Sequence, residues 1–95
     1  MEKLTEQQIR EHLEELKGWS FKDGFIQKHF VFSDFKETFS IMTRIAFECE
    51  EMNHHPNWEN VYNNLTIRLN THDVGGITEN DINLAKTIES LVKSK

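Results

Sequence analysis

Three helix-start signals divide this chain, and the residues between them favour β-structure. Thr5 is followed three residues later by Gln8, and Thr78 by Asp81. Both pairs fit the capping box, in which two side chains satisfy free backbone amides of the first helical turn. Asp34 supplies a third N-cap. These signals predict helices that begin near residues 5, 34 and 78, with the intervening segments available for strands.

Apolar residues recur at steps of three and four in each predicted helix. The first helix is predicted over residues 5 to 17, because Gly18 is a stop signal. The apolar stripe of the second helix is formed by Phe35, Phe39, Met42, Ile45, Ala46, Cys49 and Met52. That of the third helix is formed by Ile82, Ala85, Ile88 and Val92. The second helix has enough apolar surface for either a broad internal core face or a contact with a second copy of the chain.

The strands are predicted from turn residues and alternation. Asp23-Gly24 suits a tight turn between residues 19–21 and 25–32, which predicts a β-hairpin. Residues 58 to 71 are extended, with Val61, Leu65, Ile67 and Leu69 on one face. A turn at Asn63-Asn64 would make this segment a second hairpin, and one long strand is the alternative. The order α-β-β-α-β-β-α predicts an α+β fold, with a four-stranded antiparallel sheet covered on one face by three helices.

Composition limits the class of protein. The chain has 95 residues, which predicts a single domain over residues 1–95. Its net charge is -5 and it has no long basic run, so direct binding to nucleic acid or an anionic membrane is disfavoured. No apolar run approaches the roughly 20 residues of a membrane span. The N-terminal residues do not resemble a secretory signal, and Cys49 is the only cysteine. We therefore expect a cytoplasmic location, with the nucleus as a second compartment.

Three of the five histidines lie in two short stretches, at residues 53–58 and 71–73. Histidine can give or take a proton near neutral pH, since its unperturbed pKa is about 6.5. Pro56 favours an extended His55, so neighbouring His54 and His55 should point to opposite sides and do different jobs. His72 is expected at the end of the last strand, on the open face or rim of the sheet. There it could share a pocket with His54.

Proton transfer and metal binding are the two chemistries that such a histidine cluster allows. Zinc sites usually have histidines at i and i+4 on a helix, or paired cysteines, and adjacent histidines before a proline chelate poorly. Proton transfer is therefore favoured and no metal is expected. Cys49 lies on an apolar stripe and is expected in the core, where a thiol is inert. His12 and His29 are expected to be surface or satisfied core residues.

Other residues near the histidines have two interpretations each. Trp58 is either a core anchor or a wall of an aromatic pocket. Asp73 and Asp81 are expected to cap or orient rather than to act as primary catalysts. Glu50, at the end of the second helix, is either solvated or accepts an N–H from a neighbouring histidine.

Two motifs stand at a spacing that is specific to one family: EEMNHHPNWENVY at residues 50–62 and THDVGGIT at residues 71–78. They are similar to the signature of the pterin-4a-carbinolamine dehydratases. The similarity continues through residues 81–85, and more weakly through residues 30–44 and back to the hairpin near Trp19. It covers nearly the whole chain.

The resemblance implies an activity and a set of site residues. The expected reaction is dehydration of 4a-hydroxytetrahydrobiopterin to quinonoid dihydrobiopterin, without a metal or organic cofactor, in the recycling of the pterin used by aromatic amino acid hydroxylases. His54 and His72 would be the acid–base pair, and His55 would bind and orient the pterin. The implied substrate-binding residues are His54, His55, Pro56, Trp58, Thr71, His72, Asp73 and Val74, with Glu50 and Asp81 as supporting residues.

The resemblance also implies protein partners. Family members form homo-oligomers, dimers or tetramers, through sheet edges and the second helix. Some also act as dimerisation cofactors of a homeodomain transcription factor through that helix. A protein-binding role is therefore the alternative function, and an acidic chain suits a protein partner better than DNA.

Overall fold

The predicted order of helices and strands is present in the computed structural model, which describes residues 2–93. In chain order the elements are α1 (Glu6–Leu13), β1 (Ser20–Lys22), β2 (Phe25–Val31), α2 (Phe35–Met52), β3 (Asn57–Val61), β4 (Asn64–Leu69), a short 3₁₀ helix (His72–Val74) and α3 (Glu79–Lys93). The prediction of an α+β fold with three α-helices and four strands is confirmed.

The four strands form one antiparallel sheet in the order β1-β2-β4-β3. Successive side chains on a strand point to opposite faces of the sheet. One face presents Ile26, Leu65, Ile67 and Leu69, all with no exposed surface, to a core that includes helix residues such as Ile45. The other face carries polar side chains, among them Gln27, His29, Thr66 and Arg68, and none of these four is fully buried.

The predicted caps hold the helix starts in place. In α1 the Thr5 amide donates to Gln8 Oε1 at 2.8 Å, and the Gln8 amide donates to Thr5 Oγ1 at 3.1 Å. Asp34 Oδ1 accepts the Glu37 amide at 2.8 Å at the start of α2. These side chains replace water at amides that have no partner within the helix.

Helix α1 is shorter than predicted, since it ends at Leu13 and not at residue 17. The amides of Glu15 and Leu16 bond three residues back, to His12 and Leu13. Such tighter turns commonly close a helix. Here they turn Leu16 into the core, where 4% of it is exposed.

Helix α2 buries only part of the predicted apolar stripe. Its buried residues are Thr38, Ile41, Ile45 and Cys49. Phe35 and Phe39 are about half exposed, at 47% and 54%, and Phe47 is 72% exposed. Ile45 and Cys49 of the predicted stripe lie in the core, whereas Phe35, Phe39 and Ala46 are exposed, because contact with α3 and the core selects a narrower face. Of the two alternatives, a single broad internal core face is not formed. No helix within residues 2–93 is long and apolar enough to cross a membrane.

Strands β3 and β4 form a hairpin, and the turn is one residue earlier than predicted. Tyr62 and Asn63 make the turn, and Val61 pairs with Asn64. Pairing across a two-residue turn places Val61 on the open face, where it is 68% exposed. The prediction that Val61 shares a face with Leu65 is therefore wrong. It would hold only for a continuous strand, in which the period of two is not interrupted.

Candidate active site

His54 takes its place from the way α2 ends. The helix is closed by Asn53 in the left-handed conformation, with φ 53° and ψ 46°, which asparagine tolerates better than most residues. The His54 amide then donates back to the Cys49 carbonyl at 3.0 Å. This reversal leaves His54 91% buried, next to the N-terminus of α3.

The His54 ring is held by a buried carboxylate. His54 Nε2 lies 2.5 Å from Asp81 Oδ1. The Asp81 side chain has no exposed surface, and 10% of the His54 side chain is exposed. A carboxylate in its ionised form only accepts hydrogen bonds, so the Nε2 of His54 is the donor of this contact.

The other oxygen of Asp81 accepts two hydrogen bonds. Oδ2 accepts the Thr71 hydroxyl at 2.8 Å and the Thr78 amide at 2.9 Å. A buried charge is costly unless it is paired and hydrogen-bonded. Three donors around the carboxylate meet that requirement and fix the orientation of its plane. The amide contact is the capping-box bond predicted for α3, so Asp81 both caps the helix and holds the histidine.

The second ring nitrogen of His54 faces outward. Nδ1 has no hydrogen-bond partner among residues 2–93, and no buried side-chain nitrogen or oxygen in that part of the chain is without one. Nδ1 must therefore reach the molecular surface. With the proton on Nε2, Nδ1 carries a lone pair that can accept a proton.

The three clustered histidines line one open cavity of about 300 Å³. Its lining residues are Asn53, His54, His55, Asn70, Thr71, His72 and Asp73. His55 Nε2 lies 2.6 Å from Glu50 Oε2, and both side chains are more than half exposed. The ring of His72 is exposed and makes no hydrogen bond to any residue in the range 2–93. The cavity thus combines one buried, firmly bonded imidazole with two exposed ones.

His72 reaches this cavity by a route that differs from the prediction. It does not extend β4, which ends at Leu69, but begins the 3₁₀ helix. The Thr71 amide donates to the Gly76 carbonyl at 2.7 Å and closes this loop. Gly75 has φ 65°, a conformation that glycine adopts at little cost. The closed loop carries His72 and Asp73 over the end of the sheet, beside His54.

The remaining predicted residues lie around the cavity and not in its lining. Trp58 is half-buried and packs against the core. Pro56 and Val74 are also half-buried and lie outside the lining set. Asp81 bonds His54 and Glu50 bonds His55.

Three polar residues near the cavity were not singled out from the sequence. Asn53 and Asn70 contribute to its lining. The Thr78 side chain lies 2.7 Å from Thr71 Oγ1. The signal for Thr78 was present in the Thr-x-x-Asp capping box, but there the pattern indicated only a helix start.

Cys49 lies close to His54 in sequence, but its thiol is unreactive. Burial, with smaller contributions from the Glu48 and Glu50 carboxylates, raises the pKa of the Cys49 thiol from 9.0 to about 11. The thiol is thus protonated near neutral pH and is not a nucleophile. No group of three or more histidine, cysteine or acidic side chains within residues 2–93 is arranged to hold a metal ion.

Comparison with known proteins identifies the family. The model of the family described as "Pterin 4 alpha carbinolamine dehydratase" matches residues 2–91. A relative from Christiangramia forsetii, named "Putative pterin-4-alpha-carbinolamine dehydratase", is 50% identical over 99% of this chain and 97% of its own length. The crystal structure of a transcriptional coactivator/pterin dehydratase from Brucella melitensis has a TM-score of 0.92 and 37% identity, over 95% of this chain and 98% of that one.

A third protein shares only the fold. It is a pterin dehydratase-like protein described as a RuBisCO assembly factor in the alpha-carboxysome, with a TM-score of 0.65 and 22% identity over 77% of this chain and 84% of that one. The fold therefore does not by itself fix a function. The family match and the two full-length relatives carry the assignment. The chain belongs to the pterin-4a-carbinolamine dehydratase family.

Proposed function

We propose that this protein is a hydro-lyase that dehydrates 4a-hydroxytetrahydrobiopterin to quinonoid dihydrobiopterin, in tetrahydrobiopterin recycling. The observation that supports this most directly is the His54–Asp81 pair at the edge of a cavity that two further histidines line. Family membership supports the same activity.

The reaction needs one proton donor and one proton acceptor. The C4a–O bond breaks, and the departing hydroxyl takes a proton and leaves as water. The proton on N5 is removed, and its electron pair forms the C4a=N5 double bond. Each positioned acid or base typically contributes about 10²–10⁴-fold to such a step. No electrons are gained or lost overall, so the reaction requires no redox partner.

We assign the base to His54. Its Nε2 proton is committed to Asp81, which leaves the Nδ1 lone pair at the cavity to accept the N5 proton. The imidazolium that forms is stabilised by the adjacent carboxylate, as in other histidine–carboxylate pairs. The Asp81 carboxylate accepts hydrogen bonds from three donors, which compensate its charge within the protein.

We assign the acid to His72 and a binding role to His55. The His72 ring is exposed at the cavity and has no competing partner among residues 2–93, so a protonated His72 can deliver its proton to the leaving hydroxyl. The His55 ring is tied to Glu50 and can orient the pterin. Solvent or a proton exchange between the two rings resets the site after water leaves.

The test is a spectroscopic assay of 4a-hydroxytetrahydropterin dehydration with single variants. His54→Ala and His72→Ala should each lower kcat by about 10²-fold or more, while His55→Ala should mainly raise KM. His29→Ala is the matched control, since His29 bonds Thr66 and Asn64 on the open face of the sheet, away from the cavity. Wild-type rates in both of the first two variants, with the fold intact, would refute the assignment.

We further propose that the exposed side of α2 binds protein, with a second copy of this chain as the first expected partner. Phe35 and Phe39 pack together at 5.6 Å between ring centroids and line an apolar groove of about 580 Å³. Exposed aromatic patches commonly mark protein contacts. A homeodomain transcription factor is the alternative partner, and the coactivator description of the Brucella melitensis relative supports testing it.

A further inference from the structure

The hydrogen bonds around Asp81 can run in only one direction. Thr71 Oγ1 lies 2.8 Å from Asp81 Oδ2 and 2.7 Å from Thr78 Oγ1. A threonine hydroxyl has one proton, and an ionised carboxylate has none to give. Thr71 therefore donates to Asp81, and Thr78 must donate to Thr71.

The start of this chain of bonds is fixed as well. Thr78 Oγ1 accepts the amide of Asn80 at 3.2 Å, and Thr78 has no exposed surface. Water therefore cannot compete with Thr71 for the hydrogen bond that the Thr78 hydroxyl donates. The bonds thus run from the first turn of α3 through Thr78 and Thr71 to one oxygen of Asp81, while His54 donates to the other oxygen.

We propose that Thr78 is a positioning residue for the dehydration. Acting through Thr71 and Asp81, it holds the His54 ring in one position, with the Nε2 proton on Asp81 and the Nδ1 lone pair at the cavity. The catalytic consequence rests on the function proposed above, but the position of the ring does not. If the Thr78 hydroxyl is removed, the half-buried Thr71 loses its donor and can turn its proton from Asp81 toward the cavity. Asp81 Oδ2 then keeps only a backbone donor, and the His54 ring is held less firmly.

The first experiment compares Thr78→Val with Thr78→Ser. In protein carrying ¹⁵N-labelled histidine, NMR reads which nitrogen of His54 holds the proton, without substrate. Wild type and Thr78→Ser should each show one sharp Nε2–H signal set for His54. Thr78→Val should show a broadened or split set, because the ring is held less firmly, although the Asp81 carboxylate still requires the proton on Nε2. Thr78→Val should lower kcat about tenfold with KM unchanged, whereas Thr78→Ser should stay within about twofold of wild type.

Thr5→Val is the matched control, because Thr5 is the N-cap of α1 in the same kind of capping box. Both valine variants remove a cap, which should lower the folding equilibrium constant about fivefold. Only Thr78→Val should change the His54 spectrum and kcat. Equal effects of the two variants would mean that Thr78 acts through helix stability alone.

Asp81→Asn tests the direction of the bonds. Two donors, from Thr71 and Thr78, face one position on this side chain, so the amide oxygen must occupy it. The amide NH₂ then faces His54 Nε2, which has to accept. The spectrum should switch to the Nδ1–H tautomer, and kcat should fall with the loss of the Nδ1 lone pair.

The outcomes separate this inference from the proposed function. Folded Thr78→Val with an unchanged His54 spectrum and unchanged kcat overturns the inference. If Thr78→Val does not fold, Thr71→Val carries the same expectation for the His54 spectrum and for kcat, since Thr71 does not cap α3. If the spectra change as expected but wild-type protein does not dehydrate the pterin, the proposed function fails and the role of Thr78 in holding His54 stands.

Discussion

At the scale of single residues, the site depends on the different surroundings of two adjacent histidines. His54 is buried against Asp81, while His55 is exposed and bonded to an exposed Glu50. An exposed ion pair contributes little, typically below about 1 kcal/mol. The two carboxylates therefore should not matter equally to the reaction.

A substitution of Glu50 tests this difference. Glu50→Gln keeps the size of the side chain and weakens its contact with His55, so we expect KM to rise about two- to fivefold and kcat to stay near wild type. Steady-state dehydration kinetics measure both constants. A large fall in kcat would show that Glu50 takes part in proton transfer rather than in orienting His55.

The sequence could indicate the histidines but not the way they are held. The spacing of the two motifs pointed to His54 and His72, and the capping box pointed to Asp81 as a helix-start residue. The contact between His54 and Asp81 joins positions 27 residues apart, and it depends on how the end of α2 meets the start of α3. Local patterns carry no information about that meeting, so the sequence interpretation left Asp81 between capping and orienting, and the structure gives it both roles.

At the scale of elements, predictions succeeded where the deciding interactions are local. The caps at Thr5, Asp34 and Thr78 act within one helical turn and were read correctly. The sequence leaves open how much of the apolar surface of α2 is internal, since apolar residues occupy two of its faces and only packing selects between them. The position of the β3–β4 turn was misjudged because three consecutive residues, Tyr62 to Asn64, could each have formed it.

The β3–β4 turn gives a stability prediction. Tyr62 has φ 54°, which costs a residue with a side chain about 1–2 kcal/mol, and it is 61% exposed. Tyr62→Gly removes that cost, less a loss of chain entropy, so the free energy of unfolding should rise by about 0.5–1 kcal/mol. Tyr62→Ala is the control, because it removes the ring but keeps the strained φ. Urea denaturation compares the three proteins, and equal or greater stability of the alanine variant would contradict the expected strain.

At the scale of the whole molecule, the exposed aromatics of α2 predict self-association. A triple variant, Phe35→Ser, Phe39→Ser and Phe47→Ser, removes apolar side chains that are 47% to 72% exposed. Sedimentation equilibrium should show an oligomer for wild type and a shift toward monomer for the variant, with the kcat per chain preserved. A wild-type chain that is strictly monomeric at micromolar concentration would refute self-association through α2.

The same helix gives the stability of the molecule an alkaline dependence. The Cys49 thiol has a pKa of about 11 in the folded chain against 9.0 ordinarily, so the folded state binds this proton more tightly. The stabilisation of the folded state by this protonated thiol is complete below pH 9 and is lost as the pH rises from about 9 to about 11. Between pH 8 and pH 10, wild type should lose about 1 kcal/mol more unfolding free energy than Cys49→Ala. Urea denaturation at the two pH values measures this, and parallel losses would show that the thiol is not responsible.

Asp81 has two roles that evolution could separate. One of its oxygens accepts an amide at the start of α3, and the other accepts the N–H of the His54 ring. A related protein that had lost the reaction would still use this aspartate to cap α3, whereas the start of α3 does not require a histidine at position 54. Under the proposed mechanism, histidine at position 54 is therefore the better marker of dehydratase activity among proteins of this shape, because the aspartate at position 81 also serves the start of α3.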